Sequence, residues 1–337
     1  MKKSISLFAV ALIAVPVLFL ASCKQDAQPR HAFLFKNTGN PYGERQMDGF
    51  KEAVESYGYE AILRAPALPT SEGQIQIIEQ LIAQRVSSIC IAGNDFDALQ
   101  PVLARAMSQG IKVFSIDSSV NPGSRMTHVN QAGTVQIGRT LVDAAYDLTG
   151  GSGEFAILSA TSTAPNQNAW IAAMQEILAE PKFANLDLVR IAFGDDLRDK
   201  STSETQALLA SFPNLKVIVA PTTVGVAAAA RVVAEAGLIG RVKVTGLGLP
   251  SEMRAYIENG ASPYMFLWNP IDMGYLGGHV AVALARGDIS GAAGDSFTAG
   301  RLGGFTVTQA ADGGTEIILG APFRFDIDNI QFWAEVY

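Results

Sequence analysis

The sequence predicts an α/β fold with two lobes, each built on a mainly parallel sheet. Short apolar runs alternate with longer amphipathic stretches from residue 32 onward, which is typical of βαβ units with helices on both faces of a sheet. The length of 337 residues exceeds what one compact core usually holds. The alternation also divides into two sets of similar size, at about 32–130 and 131–268, with a helix and a Gly-rich tail to be shared between them.

The first set is predicted to contain β-strands and three helices in alternation. Apolar residues at helical spacing, such as Ile75, Ile78 and Leu81, support the helices. Residues 71–74 (Ser-Glu-Gly-Gln) have the pattern of a capping box. The predicted strands are Ala32–Lys36, Ala61–Leu63, Ser88–Ala92, the strand that ends at Asp117, and Met126–Asn130, and the predicted helices are Gly43–Tyr57, Ser71–Gln84 and Phe96–Ser108.

The second set repeats this order with its own strands and helices. Its predicted helices are Val135–Leu148, Asn168–Leu178, Ser203–Ser211, Gly225–Glu235 and Glu252–Ile257, and its predicted strands are Phe155–Ser159, Leu188–Phe193, Lys216–Ala220, Val242–Leu247 and Tyr264–Trp268. The helix to be shared between the sets is Gly274–Ala285. The glycine cluster at 150–153 precedes a strand, whereas a dinucleotide-binding loop follows a strand and opens a helix. Nucleotide binding is therefore not expected.

The N-terminus has the pattern of a secretory signal. Lys2 and Lys3 are followed by an almost wholly apolar run over residues 4–22, and Leu-Ala-Ser stands directly before Cys23. This end resembles the bacterial lipobox, in which the Cys is lipidated and becomes the mature N-terminus. The alternative is an uncleaved anchor helix, because about 20 apolar residues can span a bilayer. Either interpretation places the rest of the chain outside the cytoplasm, with residues 24–31 as a short tether.

Composition and motifs argue against several functional classes. The net charge of −7 and the pI of about 5.1 disfavour a nucleic-acid partner. The histidines are scattered, and no Cys/His spacing suggests a metal site. We find no G-x-S-x-G elbow and no histidine placed as a general base. Cys90 lies in an apolar run and is expected to be a core residue. No catalytic residue, metal or cofactor is therefore predicted.

Polar side chains follow the predicted strands at the points where the strands end. The apolar run Val113–Ile116 stops at Asp117, and Lys36 ends the first strand. Because ligands of open α/β sheets bind outside the carboxyl ends of the strands, these side chains are predicted to line a cleft. The other polar or aromatic groups at strand ends are Asn37, Asn40, Asn94, Asp95, Thr161–Gln167, Pro221–Thr223, Gly248, Leu249, Trp268 and Asn269.

This mixture of groups favours a sugar as the ligand. Each sugar hydroxyl is both a donor and an acceptor, so Asp, Asn, Gln and Lys match it in pairs, and the apolar face of the ring packs on aromatic side chains. Some of these residues also have simpler interpretations. Asn37, Asp95 and Asn121 are expected to cap turns, Trp170 is expected in the core, and Asp195–Asp196 is expected to form a solvated loop. Tyr42 is balanced between cleft and core.

Several segments together resemble type I periplasmic sugar-binding proteins, the substrate receptors of ABC importers. Within that group the chain is most similar to rhamnose-binding receptors, with autoinducer-2 receptors as near relatives. The resemblance covers essentially the whole mature chain. The segments that carry it are Lys36–Pro41, Gly73–Ile75, Val113–Asp117, Ser162–Trp170, Gly194–Ser201, Val217–Gly225, Val244–Met253, Leu267–Tyr275 and Gly300–Gly303.

The resemblance implies two Rossmann-like lobes joined by a hinge of three crossings, near 130–131, 268–271 and 296–304. The first lobe is expected to comprise 32–130 and 271–297, and the second 131–270 and 298–337. The ligand is expected between them. The candidate ligand-binding residues are Lys36, Asn40, Tyr42, Asp117, Asn130, Asn166, Gln167, Pro221, Thr223, Leu249, Trp268 and Asp272.

Individual positions make the expected ligand more specific. Asn166 stands where autoinducer-2 receptors carry an Asp, which removes a charge and favours a neutral sugar. Gly248 stands where ribose-binding relatives carry an Asp, which disfavours a pentose bound in their manner. A 6-deoxy sugar also needs an apolar pocket for its methyl group, for which Leu249, Trp268 and Tyr42 are candidates.

The sequence therefore predicts an extracytoplasmic lipoprotein that binds a small neutral sugar, with L-rhamnose favoured, and that delivers it to an ABC permease. It is expected to be a monomer without enzymatic activity. Autoinducer-2, another deoxysugar or a polyol remain alternative ligands. A secreted sugar-acting enzyme is the alternative from another class, with Asp117 and Asp272 as the candidate carboxylate pair of a glycosidase. A transcription repressor's effector domain would need an N-terminal helix-turn-helix, where the lipoprotein signal stands instead.

Overall fold

The structure is a computed structural model that describes residues 28–337 of the chain. The predicted signal segment and Cys23 lie outside these residues. The first part of the chain forms β1 (Arg30–Leu34), α1 (Pro41–Ser56), β2 (Glu60–Arg64), α2 (Ser71–Ala83), β3 (Ser88–Ile91), α3 (Gln100–Ser108), β4 (Lys112–Ile116) and β5 (His128–Asn130).

The second part continues the alternation of helices and strands. It consists of α4 (Thr134–Thr149), β6 (Gly153–Ser159), α5 (Pro165–Leu178), β7 (Leu186–Phe193), α6 (Arg198–Ser211), β8 (Val217–Ala220), α7 (Thr223–Glu235), β9 (Lys243–Gly246), α8 (Pro250–Glu258) and β10 (Tyr264–Leu267). The chain ends with α9 (Pro270–Arg286), β11 (Ser296–Thr298), β12 (Gly304–Thr306), β13 (Thr308–Gln309), β14 (Thr315–Ile318), β15 (Phe323–Asp326) and α10 (Ile330–Trp333).

Two separate sheets form the two lobes, which confirms the predicted fold class. The first sheet has the order β13-β14-β5-β4-β3-β1-β2, and all of its pairs are parallel except β13 with β14. The second has the order β7-β6-β8-β9 and is parallel throughout. Both faces of the first sheet are covered, so side chains of β1 alternate between two apolar clusters, Phe33 in one and Ala32 and Leu34 in the other.

The chain passes between the lobes at 131–133, at 268–269 and at 319–322. The third crossing corrects the prediction, which placed it near 296–304 and ended the first lobe at 297. β14 pairs with β5 of the first lobe, so residues up to Ile318 belong there, and β15 then pairs with β10 of the second lobe. Residues 296–306 form the hairpin β11–β12 instead. The Gly-rich tail has too little apolar periodicity to show these short strands.

Several helices begin at a proline, a few residues before the predicted start. Pro41, Pro250 and Pro270 occupy the first turns of their helices, where a missing N–H costs nothing. The caps of α1 and α9 are both Asn-Pro: Asn40 accepts from the N–H groups of Tyr42 and Gly43, and Asn269 accepts from those of the residues two and three positions on. These caps fix the loops that carry Tyr42 and Trp268.

The predicted capping box at 71–74 is wrong. The N-cap of α2 is Thr70, whose hydroxyl accepts from the N–H of Gly73. Gln74 is instead buried and donates to the carbonyls of Phe35 and Ala92, while its Oε1 accepts from the N–H of Asn94. A capping-box Gln reaches back to its own helix start; this one holds the ends of β1 and β3 together.

The helices α1 and α9 pack closely over the first sheet. A Cβ at Gly49 would lie 1.9 Å from the carbonyl oxygen of Ile271, and one at Gly274 would lie 1.8 Å from that of Gln46. Only glycine permits this approach, which places the first turn of α9 beside the loop that follows β10. Among residues 28–337, no helix has the length and apolar character needed to cross a membrane. Cys90 is a buried free thiol, as predicted.

Candidate functional site

A cavity lies between the lobes, at the carboxyl ends of both sets of parallel strands. It contains about 350 Å³ of empty space. Its walls come from the loops after β1 and β4 in the first lobe and from those after β6, β7, β8, β9 and β10 in the second. The residues that line it are Phe35, Lys36, Asn40, Tyr42, Asp117, Asn166, Gln167, Trp170, Asp196, Pro221, Thr222, Thr223, Leu247, Leu267 and Trp268.

Asp117 is held in an unusual backbone conformation in this cavity. It follows β4 directly, its φ is +61°, and only 4% of its surface is exposed. A positive φ is uncommon for a residue with a side chain and costs energy, although Asp and Asn tolerate it best. Its N–H donates to the carbonyl of Val129 at 3.0 Å. The neighbouring strand β5 therefore stabilises the turn that directs the carboxylate into the cavity.

The hydroxyl of Tyr42 connects Asp117 to the second lobe. It accepts hydrogen bonds from Nε1–H of Trp268 at 2.6 Å and from Nε2–H of Gln46 at 2.7 Å, and it donates to Oδ1 of Asp117 at 3.0 Å. A phenol has one proton and two lone pairs. Because both lone pairs are occupied, the proton must point at Asp117, and Oδ1 of Asp117 is fixed as an acceptor.

Lys36 joins the two lobes across the cavity. Its Nζ donates to Oδ1 of Asn166 at 2.8 Å and to Oε1 of Gln167 at 3.1 Å. Nδ2 of Asn166 in turn donates to Oδ2 of Asp117 at 3.3 Å. The cleft is therefore closed, with its polar groups bonded to one another from opposite lobes.

Burial dominates the titration of these groups. It raises the pKa of Asp117 to about 6, although the charge of Lys36 and the hydrogen bond from Tyr42 both act to lower that pKa. Burial likewise lowers the pKa of the Lys36 ammonium, against the opposing charges of Asp117 and Asp196. The pKa of the Tyr42 phenol is raised far above its usual value, first by burial and then by the nearby Asp117 carboxylate. The amine of Lys36 thus shares the cavity with the carboxyl groups of Asp117 and Asp196.

Asp196 is a cavity residue that the sequence reasoning missed. The expected solvated loop is correct for Asp195, which forms an ion pair with Lys200, but it is wrong for Asp196, which is buried and lines the cavity. Both aspartates have positive φ, of 54° and 52°. Thr222 donates its hydroxyl proton to Oδ1 of Asp196. The left-handed pair of residues turns one carboxylate outward and the next inward.

Aromatic rings form the apolar wall of the cavity. Trp170 and Trp268 meet edge to face with centroids 6.0 Å apart, and Tyr42 meets Trp268 at 6.3 Å. Trp170 was expected in the core; it is buried, but it also lines the cavity, as does Phe35, which was not predicted. Trp170 lies on the first turns of α5, where one side chain contacts both the core and the cavity. Helical spacing alone therefore could not distinguish a core residue from a cavity residue.

Three candidate residues lie outside this cavity. Leu249 is the N-cap residue of α8 and packs into the apolar core. Oδ1 of Asp272 accepts from Arg301 at 2.9 Å, with 27% of its side chain exposed. Asn130 donates to Oε2 of Glu316 at 2.7 Å and lines a neighbouring cavity. The remaining candidates all line the predicted cleft. They are Lys36, Asn40, Tyr42, Asp117, Asn166, Gln167, Pro221, Thr223 and Trp268.

The family of the chain follows from a match over most of its length. Residues 31–289 match the family described as a periplasmic binding protein domain. The chain belongs to this family. Its members are binding receptors and not enzymes, and they act outside the cytoplasm, so the chain is a binding protein of the same kind. Within residues 28–337, no group of three or more His, Cys, Asp or Glu could hold a metal ion.

Similar proteins have been solved or characterised with several ligands. An ABC transporter solute-binding protein from Clostridium phytofermentas, with L-rhamnose bound, is 49% identical with a TM-score of 0.91, covering 92% of this chain and 99% of that chain. The D-ribose/D-allose-binding protein of Pseudomonas aeruginosa is 26% identical over 69% of this chain and 75% of its own length. LsrB from Clostridium saccharobutylicum in complex with AI-2 is 21% identical with a TM-score of 0.85, covers 90% of this chain and 99% of that chain, and shows the fold alone.

Proposed function

We propose that L-rhamnose is the ligand of this chain, a sugar-binding protein of an ABC transporter. The observation that carries the proposal is the composition of the interlobe cavity. The neutral amides of Asn166 and Gln167 lie beside an aromatic wall, together with the amine of Lys36 and two aspartate carboxyl groups. This combination suits a neutral polyhydroxyl ring. The 49% identity to a protein with bound L-rhamnose supports the choice of sugar.

The hydrogen bonds that join the lobes support a set of groups that a sugar would use. Lys36, Asn166 and Asp117 bond to one another around the cavity. Sugar hydroxyls can replace each of these contacts, since a hydroxyl donates to Asp117 and accepts from Lys36. Bonds to charged groups contribute about 1.5–3 kcal/mol each, so these two residues should dominate affinity. Ligand held by both lobes shifts the hinge equilibrium toward the closed form.

The apolar part of the cavity suits a 6-deoxy sugar. The C5 methyl group of rhamnose has no hydroxyl to bond, so it needs an apolar surface. Leu247, Leu267 and Phe35 line the cavity together with the two tryptophans. Leu249, which was proposed from sequence, packs elsewhere, and Leu247 and Leu267 take that role. A sugar with a hydroxyl on C6 would place an unpaired polar group against these residues.

The partners follow from the proposed role. The closed, loaded form would be recognised by the permease of an ABC importer. The lipid anchor at Cys23 stays a prediction from the sequence, and so does the monomeric state. Both agree with a receptor that is tethered beside its transporter and that binds one small ligand between its own lobes.

Titration calorimetry tests the choice of ligand. The chain without its predicted signal segment is titrated with L-rhamnose, L-fucose, D-allose, D-ribose and autoinducer-2. We expect a micromolar or lower Kd for L-rhamnose, equivalent to about 8 kcal/mol or more, and at least tenfold weaker binding of the others. Absence of heat with L-rhamnose, together with tight binding of autoinducer-2 or a pentose, would reject this proposal in favour of that ligand.

A further inference from the structure

Asp196 is the only charged side chain that the second lobe contributes to the sugar cavity, among the residues from 28 to 337. The other charged residues of the lining, Lys36 and Asp117, follow β1 and β4 of the first lobe. Asp196 follows β7, and only 7% of its surface is exposed. A buried carboxylate is costly unless hydrogen-bond donors or a cation pair with it. The donors that the protein supplies to Asp196 therefore indicate what is left for a ligand.

The protein satisfies one of the two carboxylate oxygens of Asp196. The hydroxyl of Thr222 donates to Oδ1, and no other hydrogen bond from the described part of the chain reaches this carboxylate. Oδ2 is not among the side-chain atoms that are sealed inside the protein without a partner, so it keeps accessible surface on a residue that lines the cavity. A carboxylate oxygen only accepts. The group that would complete Oδ2 is therefore a donor.

The backbone and the neighbouring charges place this oxygen beside the sugar groups. Asp195 and Asp196 have φ values of +54° and +52°, which is a costly conformation for two successive residues with side chains. The turn sends Asp195 outward to Lys200 and Asp196 into the cavity. Burial has the largest influence on the pKa of Lys36 and on that of Asp117, and the charge of Asp196 acts to raise both.

We propose that Asp196 is a specificity-determining ligand contact, whose Oδ2 accepts a hydrogen bond from a sugar hydroxyl other than the one that donates to Asp117. This inference rests on the proposed function, which supplies the sugar. Because the two carboxylates belong to opposite lobes, a sugar bound to Asp117 gains the bond to Asp196 only when the cleft closes. Asp196 thus selects ligands with donors on both sides of the ring, and it slows their release.

Two adjacent substitutions test the contact. Asp196→Asn keeps the shape of the side chain, and Asn tolerates the positive φ. Asp195→Asn makes the same change one residue away, in the same backbone conformation, at an ion pair outside the cavity. Asp196→Asn is expected to raise the Kd of L-rhamnose about tenfold, mainly through faster dissociation in stopped-flow measurements. Asp195→Asn should change the Kd by less than about twofold. A change below about threefold in Asp196→Asn, with the fold intact by circular dichroism, overturns the inference.

Analogues of L-rhamnose that each lack one hydroxyl group separate a direct contact from a structural role. One analogue should bind wild type more weakly than L-rhamnose does, and this loss should be at least about threefold smaller in Asp196→Asn, because the hydroxyl and its acceptor act as a pair. A different analogue should show this coupling with Asp117→Asn. Equal losses in wild type and Asp196→Asn for every analogue would contradict a direct bond.

The same measurements distinguish failure of this contact from failure of the proposed function. If wild type binds L-rhamnose and the Asp196 coupling is absent, the contact is refuted while the proposed function stands. If wild type instead binds another sugar of the calorimetry series, L-rhamnose is rejected, and the Kd values of Asp196→Asn and Asp195→Asn for that sugar decide whether Asp196 is a contact. If wild type binds none of these sugars, both proposals fail.

Discussion

Replacing Asp117 by Asn removes the charge from the cavity with little change of shape. Asn tolerates the positive φ of this position, so the turn after β4 should be retained. Tyr42 can still donate to the Asn oxygen, but the new NH₂ group would face Nδ2 of Asn166, at the position where 3.3 Å now separates a donor from an acceptor. Two donors then meet, and Asn166 has to turn away.

The expected loss of affinity follows from these bonds. A hydrogen bond to a charged group contributes about 1.5–3 kcal/mol and one between neutral groups about 0.5–1.5 kcal/mol. If two sugar hydroxyls use the carboxylate, Asp117→Asn should cost about 2–3 kcal/mol, which is about 30- to 150-fold in Kd. Calorimetry with L-rhamnose measures the change.

A matched substitution isolates the effect of the site. Asp187 is exposed on the edge strand β7, so Asp187→Asn makes the same chemical change away from the cleft. It should leave both the Kd and the melting temperature unaltered. A Kd for Asp117→Asn within threefold of wild type, with the fold intact by circular dichroism, would remove Asp117 from the ligand contacts and refute the reasoning.

The remaining predictions concern pH and neighbouring residues. The carboxyl group of Asp117, which faces Lys36, Tyr42 and Asp196, has a pKa of about 6 without ligand, and a sugar that donates to the carboxylate lowers this pKa. The Kd of L-rhamnose should therefore rise as pH falls below 6, by up to about tenfold per pH unit. A Kd that does not change with pH would contradict this. Tyr42→Phe removes a hydrogen bond that lowers the pKa of Asp117, so the midpoint of the pH profile should move to higher pH. The free energy of unfolding in urea should also fall by about 1–3 kcal/mol, because the buried N–H groups of Trp268 and Gln46 lose their acceptor. Asp272→Asn should keep its Kd within twofold, because its partner is the half-exposed Arg301; a tenfold loss would restore Asp272 as a ligand contact.

The sequence was sufficient for the residues that end buried strands. Lys36 and Asp117 follow continuous apolar runs, and parallel strands place their carboxyl ends at one edge. The same inventory of strand ends included Asn166, Gln167, Pro221 and Thr223, and the resemblance then gave these residues ligand roles. The structure brings all of these residues to one cavity.

The residues that were missed or misplaced depend on tertiary contacts. Asp196 belongs to a charged run in the sequence, and only the left-handed backbone of Asp195 and Asp196 turns the two side chains in different directions. The one sequence feature that could have indicated a buried Asp196 is Thr222 at the next strand end, whose hydroxyl bonds to it. Asp272 has the residue type of a sugar contact, but the second stretch of the first lobe, residues 270–318, brings Arg301 beside it. That stretch is the one whose short strands the sequence did not show.

A crystal structure with L-rhamnose tests the central claim most directly. The sugar should lie in the cavity between the lobes, with hydroxyls within hydrogen-bond distance of the Asp117 carboxylate and Nζ of Lys36, and with its methyl group against Leu247, Leu267 or Phe35. The present bond between Lys36 and Asn166 should be replaced by bonds to the sugar. Ligand density elsewhere, or a sugar in the cleft without a contact to Asp117 or Lys36, would contradict the account.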